Sequence, residues 1–197
     1  MGALTQAFNS FVNIILGATG KFYPYLTNIF GICAMLITVF SYQARKRISI
    51  ISLQLIGHVF WVSYLILNGA FVGAVLNFVS MLRCIMFSFK DKYKWANNYG
   101  WLAFFLILNG SVSIMTWSAW YDFLPLVGVT LFTIGFYMSN EKHIRFISMF
   151  ALPLWLIYGI LTKSYFAVMN DSISFISLII AIIRYSKIKN ETAKIEE

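Results

Sequence analysis

The sequence predicts an all-α polytopic membrane protein of seven transmembrane helices, built as two parallel three-helix-bundle repeats joined by a linker helix (3+1+3). Three observations carry that prediction. The 197 residues are 60% hydrophobic and 18% aromatic with only 11% charge, too apolar for a soluble domain of this length. Charge-poor runs recur along the chain, most of them about 18 residues or longer, enough to cross a ~30 Å hydrocarbon core. Finally, residues 60–80, FWVSYLILNGAFVGAVLNFVS, match residues 154–174, LWLIYGILTKSYFAVMNDSIS, without a gap. Trp61 falls on Trp155, Tyr64 on Tyr158, Leu67 on Leu161 and Ser80 on Ser174, each pair 94 positions apart. Asn77 falls on Asp171. A fixed long offset in an apolar chain signals an internal repeat, and membrane repeats commonly surround a solute pathway.

Residues 1–21 read as an amphipathic N-terminal segment. Leu4, Ala7, Phe8, Phe11, Ile14 and Ile15 recur at helical spacing, with Gln6, Asn9, Ser10 and Asn13 between them. The segment is too short and too polar to span, so it is expected to lie in the membrane interface. The first repeat, 22–97, holds spans near 25–42, 49–67 and 71–89, and Asn68-Gly69 turns the second into the third. The linker, 98–121, holds a span near 101–117. The second repeat, 122–187, holds spans near 124–138, 144–161 and 165–185, and residues 188–197 form a charged tail. The fifth span opens on Leu124-Pro125, where Pro suits a first helical turn. At about 15 residues it is marginal for crossing.

Positive charge sets the orientation. With the first loop cytoplasmic, Arg45, Lys46, Arg47, Lys90, Lys92, Lys94, Lys142, Arg145, Lys187, Lys189 and Lys194 share the inner side, and Arg83 and Arg184 lie on the inner halves of their helices. Lys21 and Lys163 alone fall outside. This asymmetry places the N-terminus outside and the C-terminus in the cytoplasm of a bacterial plasma (inner) membrane. A single extra span between two three-helix units is what lets both units share one orientation, hence the linker helix.

Composition also excludes. The net charge of +8 lies between apolar runs rather than on a basic domain, which argues for topology and against nucleic acid. Cys33 and Cys84 both sit inside apolar segments and read as buried spacers. No removed signal peptide is expected, and Gln6 disfavours myristoylation. GxSxG, HExxH, paired intramembrane carboxylates and a phosphate-cradling glycine loop are all missing, so no enzyme, metal or cofactor is expected. His58 and His143 fall at different depths, which separates them as ligands of one metal.

Four residues define a candidate layer. Trp61 and Asn77 flank Gly69 by eight positions each, and Trp155 and Asp171 flank Lys163 likewise. Each is then ~9 Å below the outer face at 1.5 Å per residue. Asp171 is the acidic residue expected inside a span, where a carboxylate costs roughly 2.5–3.5 kcal/mol unless it faces a cavity or a partner. It reads as a solute-binding or proton-titrating group, with packing between helices as the competing explanation. Asn170, Ser174 and Ser177 add polar positions beside it. Gln54, His58 and Trp61 form one helical stripe at i, i+4, i+7. That stripe either lines a pathway, with His58 able to titrate near neutrality, or supplies interhelical hydrogen bonds. Tyr64 and Tyr158 read as interfacial belt residues, and Arg83 as a side chain snorkelling toward the cytoplasm, with contact to an anionic solute as the less favoured alternative. Pro153, two residues before Trp155, is a hinge candidate.

The stretches SYQARKR, WVSYLILNGAFVGAVLN and PLWLIYGILTKSYFAVMNDSISFISLIIAIIRY are similar to the YgjV-like bacterial inner-membrane proteins, a likeness covering about residues 25–186. More distantly, the chain resembles the SWEET and SemiSWEET sugar transporters and the PnuC vitamin-precursor transporters. That resemblance implies a three-helix-bundle fold, duplicated around a linker helix, in which Trp-type and Asn residues of both bundles enclose the solute. The matching positions here are Trp61, Asn77, Trp155 and Asp171 or Asn170. Two departures stand out. Tyr42 replaces the Pro of the Pro-Gln hinge before Gln43, and Asp171 stands where a symmetric neutral pocket has Asn.

The sequence thus points to a small polar solute transporter for a sugar, nucleoside or vitamin precursor, working by alternating access between two bundles. Trp61, Asn77, Trp155, Asn170, Asp171, Gln54 and His58 are its expected binding residues. A monomer already holds both repeats and suffices for a pathway, with oligomers left open. The alternative is a non-transporting receptor or scaffold on the same fold, since relatives of this architecture include a sorting-signal receptor.

Overall fold

The computed structural model describes residues 6–7, 10–14, 17, 20–68, 71–115, 117, 119–162 and 165–196. Among these, seven α-helices and two short 3-10 turns account for the architecture, with no strand. The helices are α1 (Tyr23–Ser41), α2 (Arg47–Leu67), α3 (Phe71–Ser88), α4 (Tyr99–Met115), α5 (Phe123–Tyr137), α6 (Glu141–Leu161) and α7 (Tyr165–Glu196). The described part of the N-terminal segment is helical, and Leu4, Phe8, Asn9 and Ile15 lie outside the described residues. So do Gly69 and Lys163, from which the depth of the candidate layer is counted.

Local chemistry sets the boundaries. Pro24 stands in the first turn of α1, where no helical N–H is lost. At the other end of that first hairpin, Asn68 follows α2 and its side-chain amide donates to the Tyr64 carbonyl at 2.9 Å, capping the helix end. Asn98 accepts from Gly100 N at 2.8 Å before α4, and Asn140 accepts from Lys142 N at 2.9 Å before α6, as N-capping residues do. Pro153 lies inside an unbroken α6. It has no N–H to offer the carbonyl one turn earlier, so this is the place where α6 is easiest to bend.

Five stretches are long and apolar enough to cross a membrane: Tyr23–Ser41, Arg47–Leu67, Trp120–Tyr137, Glu141–Leu161 and Phe166–Ser186. The fifth span of the sequence reading is lengthened by the 3-10 turn Trp120–Asp122, which runs directly into α5. α3 and α4 are shorter apolar helices, ~25–27 Å long at 1.5 Å per residue. α7 continues to Glu196, beyond residue 187 where the second repeat was expected to stop; side chains past Ser186 lie outside the described residues.

The surface is inverted relative to a soluble protein. Ile29, Ile32, Leu36 and Phe40 on α1, Phe146, Phe150 and Ile157 on α6, and Ile173, Ile176, Ile180 and Ile183 on α7 are all exposed at helical spacing. Ser41, Gln54, Arg83, Asn109, Thr133, Ser148 and Asp171 are buried. Apolar stripes outward and polar groups inward suit a hydrocarbon solvent, which leaves lipid against the stripes.

α1 packs on α2 and α2 on α3; α5 packs on α6 and α6 on α7. α4 touches α3 and α5, and α1 meets α7 across the middle. The connections between α1 and α2, α3 and α4, and α5 and α6 gather at one end, here the basic end, where Arg47, Lys90 and Arg145 lie. The α2–α3 and α6–α7 connections form the opposite, turn end. The apolar core sits toward the basic end, where Ile50, Ile51, Phe87, Phe105, Phe136 and Ile144 are all buried. Phe105 brings α4 into it, edge-on to Phe87 with centroids 5.6 Å apart. Cys84 is buried in this core and Cys33 is half-buried, both as free thiols.

Candidate functional site

A cavity of about 490 Å³ opens between the two helix triplets. Gln54, His58 and Trp61 of α2, Asn77 of α3, Trp155 of α6, and Asn170 and Asp171 of α7 all line it. Leu65, Gly73, Asp122 and Tyr158 line its turn end, and Tyr42, Arg83 and Phe136 its basic end. The stripe at i, i+4, i+7 on α2 therefore faces inward.

Hydrogen bonds fix most of this wall. Gln54 donates to Ser41 Oγ at 2.7 Å, and Ser41 donates to the Thr38 carbonyl at 2.6 Å. Trp61 Nε1 donates to Thr38 Oγ1 at 3.3 Å. Asn77 Nδ2 donates to the Gly73 carbonyl at 3.0 Å, so its Oδ1 is the atom that meets His58 Nδ1 at 3.1 Å. With that amide orientation Nδ1 carries the proton, and Nε2 of a neutral His58 is left as an acceptor. On α7, Asn170 Nδ2 donates to Asp171 Oδ1 at 2.9 Å.

Among the described residues, four lining side chains keep a buried polar atom without a protein hydrogen-bond partner: His58 Nε2, Arg83 Nε, Trp155 Nε1 and Asn170 Oδ1. Two are donors and two are acceptors. Buried polar atoms are nearly always satisfied, so several unsatisfied ones around one cavity mark a place prepared for a polar occupant.

The two Trp–Tyr pairs at the 94-residue offset share their ring geometry. Trp61 meets Tyr64 edge-on at 5.5 Å and 85°, and Trp155 meets Tyr158 edge-on at 6.2 Å and 86°. Sequence asymmetry explains where the halves differ. Thr38, which accepts from Trp61, has Phe132 at the equivalent position, so the Trp155 indole N–H has no hydroxyl to bond. Gly128 instead lets that indole approach α5: a Cβ there would stand 2.6 Å from Nε1. Tyr64 is taken up by stacking on Phe166 at 5.1 Å, while Tyr158 lines the cavity. The belt reading of both tyrosines misses these roles.

Arg83 corrects the sequence reading more sharply. It does not snorkel. The side chain is buried, donates from Nη1 to Thr133 Oγ1 at 2.7 Å, and lies 5.2 Å from the Phe136 ring centroid. The available signal was Asn77, Ser80 and Arg83 at three-residue spacing, a polar stripe like that of α2. Thr38 and Thr133 give no such signal, because a lone hydroxyl in an apolar run carries no direction.

Beyond the basic end of the cavity, two arginines cross between the triplets. Arg47 of α2 donates to the carbonyls of Phe136 at 2.9 Å and Met138 at 2.6 Å, and also to Phe87 O at 3.0 Å and Asp91 Oδ2 at 2.7 Å. Arg145 of α6 donates to the carbonyls of Tyr42 at 3.3 Å and Ala44 at 2.5 Å, and its guanidinium lies 4.1 Å from the Tyr185 ring centroid. The acceptors are repeat-related: Tyr42 with Phe136 and Ala44 with Met138 are each 94 positions apart. Each arginine caps the C-terminal end of the first helix of the opposite triplet, where carbonyls lack helical partners and the dipole favours a cation. Gln43 adds a crossing bond to the Ser177 carbonyl at 2.7 Å, Tyr185 donates to Gln43 O at 2.7 Å, and Lys90 donates to Tyr137 O.

A lipid-facing helical bundle with a polar cavity at its centre defines an integral membrane protein. The family model described as bacterial inner membrane protein (Imp-YgjV) matches residues 25–189, nearly the stretch on which the sequence likeness was read. The chain belongs to that family. No curated protein and no solved structure matches it.

Proposed function

We propose that this protein carries a small polar solute across the inner membrane by alternating access between two three-helix bundles. The observation that carries the proposal is the set of unpartnered donors and acceptors on His58, Arg83, Trp155 and Asn170, all lining one cavity. In this reading all seven helices span, α1–α3 and α5–α7 are parallel repeats, and α4 is the linker. The N-terminus is outside and the basic end is cytoplasmic. The solute's ring stacks between Trp61 and Trp155, while Asn77, Asn170, Gln54 and His58 bond its polar edge. Asp171 is the group that couples a proton to movement, with His58 as its partner in titration. The sugar, nucleoside and vitamin-precursor classes suit this chemistry, as the wider transporter resemblance implies.

The arginine crossings are the inner gate. Opening toward the cytoplasm requires Arg47 and Arg145 to leave the opposite triplet's carbonyls, and bending at Pro153 lets α6 carry Trp155 and Arg145 apart. No catalytic chemistry is assigned, and one chain holds the whole pathway. The test is uptake of labelled solutes from these classes by proteoliposomes. Saturable uptake that disappears in the Trp61→Ala, Trp155→Ala double variant is the expected result. Uptake unchanged in that variant rules out the site, and binding without flux favours a receptor.

A further inference from the structure

Arg83 narrows the chemistry of the solute, given the solute-cavity reading. It lies six residues beyond Asn77 on α3, or ~9 Å nearer the basic end. Arg83 is 2% exposed and forms part of the cavity wall. Thr133 holds it in place: the Thr133 hydroxyl gives its own proton to the Val129 carbonyl at 2.7 Å, leaving the oxygen to accept from Arg83 Nη1 at 2.7 Å. Arg83 Nε has no protein partner, and among the described residues Arg83 makes no ion pair.

A neutral solute leaves this arrangement unexplained. Hydroxyl groups are served by amides and indoles, as in the Trp61–Trp155 layer, and need no buried cation. A guanidinium without a carboxylate is costly in a membrane span. Its planar fork matches two oxygens of a carboxylate or a phosphate. Acceptors line the same cavity: His58 Nε2, Asn170 Oδ1 and the Asp171 carboxylate call for donors on the solute. Asp171 likewise forms no ion pair among the described residues.

We infer that the cavity takes an organic anion, its carboxylate or phosphate on Arg83 and its donor-bearing ring between Trp61 and Trp155. Charge at one end and donors at the other orient the solute along the cavity.

The experiment uses the purified full chain in detergent and three matched acid and neutral probes: glucuronate and glucose, ribose 5-phosphate and ribose, nicotinate and nicotinamide. Ligand-induced shifts in thermal unfolding give an apparent affinity for each. At least one acid is expected to bind tenfold or more tighter than its neutral partner, and which pair shows it separates carboxylate from phosphate. Arg83→Gln should abolish the preference, and Arg83→Lys should keep part of it. Should Arg83→Gln fail to fold, Arg83→Lys decides: a reduced acid preference supports the assignment, an unchanged one overturns it. Equal binding of acid and neutral members, or a preference that persists in Arg83→Gln, overturns the anion while leaving the solute cavity intact. If none of the six probes binds, the solute-cavity reading fails and the inference fails with it.

Discussion

Trp155 is held differently from its repeat partner, and the difference has consequences. The Trp61 indole N–H is anchored by Thr38, whereas the Trp155 indole lies close against Gly128 of α5. A methyl group at Gly128 meets Nε1 at 2.6 Å, so the indole must move. Gly128→Ala should therefore weaken solute binding and cost about 1–3 kcal/mol of stability, the usual scale of overpacking. Thermal unfolding and binding of the same sample check both. Asp171→Asn preserves size and the bond from Asn170 but removes the titratable group. Under the proton-coupling proposal, uptake by this variant should lose its dependence on pH while binding remains. Uptake that keeps the wild-type pH profile would put the coupling elsewhere.

At the scale of elements, the arginine crossings hold the two triplets together through helix ends rather than through ion pairs. Arg47 has an acidic partner, Asp91, but that carboxylate is half-exposed. Exposed pairs contribute about 0–1 kcal/mol. Two of the three carbonyl bonds of Arg47, to Phe87 and Phe136, are buried, and leaving buried acceptors unsatisfied costs roughly 1–3 kcal/mol each. Asp91→Asn should accordingly change unfolding by less than about 1 kcal/mol. Arg47→Ala should cost several times more, and Arg47→Lys should recover only part, since an ammonium cannot span carbonyls of both α3 and α5. Denaturation of the three variants side by side separates the contributions; equal losses for Asp91→Asn and Arg47→Ala would show that the ion pair dominates.

For the whole molecule, the proposed topology puts the crossings inside and the hairpin turns outside. Cysteines introduced singly at Lys21 or Lys163, in a chain with Cys33 and Cys84 replaced by Ala, should react with a membrane-impermeant maleimide in intact cells. Cysteines at Lys94 or Lys142 should react only after lysis. Breaking both gates with Arg47→Ala and Arg145→Ala should then raise reactivity of a cavity position such as Ser80→Cys from the cytoplasmic side. No increase would mean that the crossings do not gate the cavity.

Much of this was legible in one dimension because a bilayer imposes strong patterns. Apolar runs must be long and polar residues within them must face inward, so the helices and the α2 stripe could be read directly. Arg83 was legible only as a pair of alternatives, because snorkelling and turning inward differ only in which way one flexible side chain points. The arginine crossings were also hidden: their acceptors are backbone carbonyls, which have no residue identity, and their donors are not repeat-equivalent, since Arg47 aligns with Glu141 and Arg145 with Ile51. By itself, the chain determined its helices, its membrane residence and a set of candidate polar residues, all consequences of local pattern and solvent. Only the tertiary structure decided that those residues share one cavity, that Arg83 turns into it, and that arginines of each triplet close on the other, because these depend on groups distant in sequence meeting in space.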